Sequence, residues 1–202
     1  MKVTPSLALA TCSIGFLSFA SAVHAQSGWQ IQGYTTLTTS PIAAIGTGSN
    51  GVTPALTTVT STATASSTGS QRQTADYTSR YQFSELVTYE WVGKGPSVPF
   101  HVSVTPTATA SASTTPFTFA SSSSSASTQP PSVTASASAS GGTVSGNNNP
   151  GSYSLLIDPG GVTTASLTLN LDAFANGNVY VSGHLFSCAS SAIVSLGAPT
   201  VP

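Results

Sequence analysis

The residues able to do acid–base, nucleophilic or metal chemistry are few, and their spacing does not suit that chemistry. Hydrolysis by paired carboxylates needs two acids held across one substrate. Glu85 and Glu90 are close in sequence, but their offset is odd. A regular strand therefore turns them to opposite faces unless a bulge intervenes, and they read as solvated or edge charges. A serine hydrolase needs a nucleophile, a base and an orienting acid. Serines abound, yet beyond the N-terminal segment the only histidines are His101 and His184, and no G-x-S-x-G elbow exists. His184 and Cys188 have a helical spacing where a strand is expected, and no further cysteine follows to close a zinc site. Asp172, Asn176 and Asn178 offer oxygens but lack the acidic density of a calcium loop; they read as an asparagine-rich hairpin turn. The chain is thus expected to have no catalytic residue, no metal and no cofactor, and not to be an enzyme.

Aromatic side chains are the more serious candidates. Trp29, Tyr34, Tyr89, Trp91 and Tyr180 form a binding platform for sugar rings if several of them are exposed. The same residue types also fill the cores and rims of β-sandwiches. Cys188 is the one thiol left once Cys12 is removed with the leader. A disulfide within the chain is then excluded. The thiol is buried as a small apolar residue, paired with another chain, or used.

The leader is legible in residues 1–25. Lys2 precedes an apolar stretch over residues 7–19, and Val23-His24-Ala25 supplies a small-residue cleavage site. That order predicts a secretory signal peptide, and its apolar run is too short to span a membrane. Cleavage after Ala25 leaves one expected domain over residues 26–202. Its destination is extracellular or periplasmic, with association at the cell surface.

Composition removes further functions. Only 4% of residues are charged, against about 25% in ordinary domains. No basic patch exists to meet phosphates, so nucleic acid is not a partner. No later stretch is long and apolar enough for a transmembrane helix. Ser and Thr make up about a third of the chain. A disordered stalk of that composition would carry low hydrophobicity and high net charge, whereas this chain is 39% hydrophobic and nearly uncharged. Sheets with hydroxyl-covered faces fit better. The run ASSSSSASTQPP at residues 120–131 is the exception and reads as a mobile loop.

The elements follow from a period of two. Residues 59–68 (VTSTATASST), 104–114 (VTPTATASAST) and 133–140 (VTASASAS) alternate hydroxyl residues with Val or Ala, as strands do. Their unequal separations exclude a solenoid. Residues 81–92 (YQFSELVTYEWV) place Phe83, Val87, Tyr89 and Trp91 on one face. Residues 41–54 and 141–151 are turn-rich. Asp158-Pro159-Gly160-Gly161 signals a turn, and Asn176-Gly177 signals a hairpin joining the Leu167–Leu171 alternation to residues 178–186.

The expected fold is a single antiparallel β-sandwich, Ig-like or jelly-roll-like, with eight to ten strands and a Ser-rich mobile loop at about 120–131. The expected role is that of a structural, adhesive or matrix-type protein that associates with itself through strand edges. The rival expectation is a carbohydrate-binding sandwich whose partner is a polysaccharide.

Overall fold

The computed structural model describes residues 28–43, 47–54, 59–72, 77–130, 132–141, 143–145 and 151–202. The leader, its cleavage site and most of residues 141–151 lie outside them. The described chain is all strand and turn. The strands are β1 (Gly28–Ala43), β2 (Thr47–Pro54), β3 (Val59–Gly69), β4 (Tyr77–Val92), β5 (Phe100–Thr114), β6 (Thr118–Gln129), β7 (Val133–Ser140), β8 (Thr143–Ser145), β9 (Tyr153–Ile157), β10 (Thr164–Val179) and β11 (Phe186–Leu196). They build two antiparallel sheets, ordered β1-β4-β10-β6-β7-β8 and β2-β3-β11-β5-β9. The sheets pack face to face, with β10 on β3 and β11, and β5 on β6 and β7. The expected antiparallel sandwich is what the chain forms.

Inward positions alternate strictly with outward ones. In β7 every odd residue is buried and every even one exposed, the signature of a strand with one face on a core. The core is graded. At one end it is bulky: Trp29, Tyr89, Phe100, Leu155, Leu167, Leu169 and Leu196 are buried there. Trp29 stacks on Phe100 with ring centroids 4.5 Å apart, and Tyr89 meets the same ring at 5.2 Å. Through the rest of the sandwich the inward residues are mainly Ala and Ser: Ala63, Ala108, Ala126, Ala135, Ala173 and Ala192 are essentially inaccessible. Tyr77 and Phe186, in edge-to-face contact at 5.4 Å, close the far end.

The small-residue region brings the sheets close together. A serine hydroxyl extends only two bonds beyond Cα. Yet Ser122 donates to the Ser111 carbonyl at 2.8 Å, Ser124 to Thr109 at 2.9 Å, Ser190 to Phe174 at 2.9 Å and Ser67 to Tyr77 at 3.1 Å. Each bond runs from one sheet to the main chain of the other, so the sheets there approach more closely than the usual separation of about 10 Å. These four serine hydroxyls are satisfied, and they tie the layers together.

Three sequence expectations are corrected. The Ser-rich segment expected as a mobile loop over 120–131 is mostly strand β6, flanked by β10 and β7. Its polar residues are what cross-sheet bonding at short range requires. Residues 47–54, expected as turn, pair with β3 as β2. Asn176-Gly177 makes no hairpin: β10 runs straight through it, with Gly177 paired to Tyr77 on one side and Ala120 on the other. That glycine answers a steric demand instead. A Cβ on Gly177 would overlap the Phe186 ring, and one on Gly69 would lie 2.8 Å from both Phe186 and Tyr77. Phe186 occupies the space that two glycines leave open.

Candidate functional site

The sequence-derived aromatic platform is not assembled. Trp29 is 5% exposed and Tyr89 fully buried. Tyr34 and Trp91 are half-buried against the core. A ring sealed in the core cannot stack on a ligand without opening the sandwich. The alternation that placed Tyr89 and Trp91 on one face is correct; that face is the inner one. The Trp29 indole N–H donates to the Val98 carbonyl at 2.7 Å, an anchoring bond within the fold. Burial pushes the Tyr89 phenol well above its usual pKa, and its hydroxyl has no partner.

Tyr180 alone among the five is exposed, and it has company. Phe117 is 62% exposed, Tyr180 56% and Leu185 55%, with Phe119 and Val181 also accessible. All belong to one end of the sandwich, where the connection from β5 to β6 meets the connection from β10 to β11. Register pairs Phe119 with Asn178, and Tyr180 N–H donates to the Phe117 carbonyl at 2.9 Å. The His184 and Phe117 rings meet edge to face at 5.2 Å. Thr115 clamps the two connections: its N–H and hydroxyl both donate to the Leu185 carbonyl, and its hydroxyl accepts from Leu185 N–H. Gly183 N–H adds a bond to the Ser70 carbonyl. Phe117 is held at φ 61°, the one non-glycine residue with positive φ among the described residues. An exposed aromatic in a left-handed conformation marks a position whose geometry is fixed by its surroundings. Phe117 lies in the turn before β6 and Phe119 within it; their surroundings include a loop about 60 residues away in sequence.

The acid–base candidates are dispersed. Both β-bulges lie on β1 and leave β4 regular, so Glu85 and Glu90 do face opposite ways. The expectation that both are solvated or edge charges fails for Glu85, whose side chain has no exposed surface. It lies inward between Phe83 and Val87 and accepts a 2.5 Å bond from the Ser61 hydroxyl of the opposite sheet. The signal was in the sequence: Glu85 shares the odd positions of Phe83, Val87, Tyr89 and Trp91. His101 Nδ1 approaches the Ser154 hydroxyl at 3.2 Å, and no carboxylate among the described residues bonds that ring. Asp172, expected in a turn, stands on the outward face of β10, where Arg80 grips both its oxygens at 2.7 and 3.1 Å. Asn176 and Asn178 lie four and six residues further along the strand and do not converge on it. Among the described residues no group of three His, Cys, Asp or Glu could hold a metal ion.

Cys188 is buried. Its sulfur points at the Asn176 carbonyl at 3.4 Å and the Ser67 carbonyl at 3.7 Å, and burial pushes its pKa up. Of the three roles open to this thiol, burial as a small core residue is the one its position fits.

A shallow cleft of about 320 Å³ lies on the outer face of β6, β7 and β10, lined by Ser123, Ser125, Ser136, Ser138 and Asp172 among others. It belongs to a continuous hydroxyl-covered surface. No helix among the described residues is long and apolar enough to cross a membrane. No protein-family model matches the chain, and no curated protein or solved structure resembles it significantly.

Proposed function

We propose that this is a secreted, non-enzymatic structural or adhesive protein that assembles with copies of itself through strand edges. One observation carries the reading. Among the described residues, β8 covers β7 only at Ser138–Ser140, and β9 pairs with β5 only over Phe100–Val104. Among the described residues both sheets thus present a partly uncovered strand on the same side of the sandwich, where β5 packs against β7. Natural edges are usually guarded by lysine, proline or bulges. Here β5, β6 and β7 hold no charged residue, and Pro106 is the one guard. A two-fold axis normal to the sheets would join β7 to β7 antiparallel and extend both layers at once.

Thr134, outward and exposed on β7, gives the test. Sedimentation of the processed wild-type protein is expected to show concentration-dependent association. Thr134→Lys is expected to abolish it with little change in melting temperature. Ser187→Lys, the same charge at an exposed position of the central strand β11, should assemble like wild type. A wild-type chain that stays monomeric at high concentration overturns this reading.

The exposed cluster of Phe117, Phe119 and Tyr180 favours a second reading, adhesion to a neutral polysaccharide by stacking of sugar rings. Aromatics held in place before binding lose little entropy on complex formation. Phe117→Ala and Tyr180→Ala are expected each to weaken retention on an uncharged polysaccharide by about tenfold, the effect of losing roughly 1.4 kcal/mol, with the fold intact. Unchanged retention removes the cluster from any adhesive role.

A further inference from the structure

Among the described residues the core of this sandwich holds one carboxyl group, and it joins the two layers. Glu85 on β4 and Ser61 on β3 both have no exposed surface. The Ser61 hydroxyl donates to Glu85 Oε2 across the interface, while Oε1 is buried with no partner. An ionised carboxylate accepts up to about four hydrogen bonds; this one accepts a single bond and leaves one oxygen bare. No cation among the described residues compensates it. The charged groups on the elements beside it, Arg80 and Glu90 on β4 and Asp172 on β10, stand at even positions on the outer face. Its inward surroundings are Phe83 and Val87 on β4, Leu169 opposite on β10, and Val194 beside Ser61 on β11. The titratable groups elsewhere on these elements' inner sides are the phenols of Tyr77, Tyr81 and Tyr89 and the Cys188 thiol; Tyr34 on β1 is half-buried against the same core.

We propose that Glu85, bonded to Ser61 across the interface, makes the packing of the two sheets acid-responsive: tight when the carboxyl is protonated, and weakened when it ionises because one serine donor does not compensate a buried charge. A neutral acid costs little to bury, whereas a charge with one donor costs much more. Burial pushes the Glu85 pKa up to about 6, against a smaller opposing effect of the Ser61 hydrogen bond. A carboxyl whose folded pKa exceeds its unfolded value holds its proton more tightly when folded. Its contribution is therefore full below about 4.5 and declines as pH rises through about 6. This sign is opposite to that of the usual salt-bridged acid, and it is independent of whether the protein self-associates.

Melting temperature measured from pH 4.5 to 7.5 on the processed protein tests this. The wild type is expected to lose roughly 5 °C on going from the acid to the neutral end. Glu85→Gln keeps the shape without the charge. It should flatten that component and melt higher than wild type at pH 7.5; every histidine is retained, so the difference between the two profiles isolates Glu85. Ser61→Ala removes the one donor to Glu85 among the described residues and should move the midpoint of the profile to higher pH, which a purely packing role would not do. A wild-type profile without this component, a Glu85→Gln profile that keeps it, or a Ser61→Ala midpoint left in place overturns the proposal.

Discussion

Replacing Gly177 with alanine is expected to destabilise the protein by about 3 kcal/mol, a fall of roughly 6–12 °C in melting temperature for a chain of this size. The added methyl would overlap the Phe186 ring, which is itself 1% exposed and pinned on the other side by Gly69 and Tyr77. Nothing at that end of the core can yield cheaply. Phe186→Ala is expected to cost about 3–5 kcal/mol through the cavity it leaves. The two changes should not add. In the double variant the methyl introduced by Gly177→Ala enters space the ring has vacated, so the combined cost should fall well below the sum. Thermal or urea unfolding of the three variants checks this. Strict additivity would mean that the ring and the glycine do not share the space described.

The opposite end of the core gives the second large effect. Trp29→Ala is expected to cost about 3–5 kcal/mol. It removes the ring stacked on Phe100 and leaves the Val98 carbonyl without the indole N–H. Tyr89→Phe, a few ångströms away on the same Phe100 ring, should do the reverse of harm. Its hydroxyl is buried without a partner, so deleting one oxygen removes an unmet desolvation cost and is expected to be neutral or stabilising by up to about 1 kcal/mol. Denaturant titration separates the two cases. A Trp29→Ala protein as stable as wild type would place that indole outside the core.

What the sequence allowed to be read, and what it did not, divides along local and non-local lines. The period of two is local, and it located β3, β4, β5 and β7. The same period carries the signal for an inward Glu85, but charge argues for a solvated position, and that expectation is the one that fails. The aromatic face of β4 was found correctly, but alternation cannot say which of two faces meets a second sheet, so the same residues read equally well as a platform. β6 was hidden because a serine run resembles a linker until β5 supplies the carbonyls for Ser122 and Ser124. Gly177 resembled a turn because Phe186, which explains it, arrives only after the next connection. The exposed end cluster likewise needs two distant loops clamped by Thr115.

The paired strands β6 and β7 have a consequence for how such a gene can change. Residues 121–125 are five serines, and 135–140 are three Ala-Ser units. Loss or gain of one dipeptide unit in β7 keeps alanine inward and serine outward, whereas loss of a single residue turns every later side chain to the wrong face. This strand can therefore change length in steps of two residues without reversing its inner and outer faces.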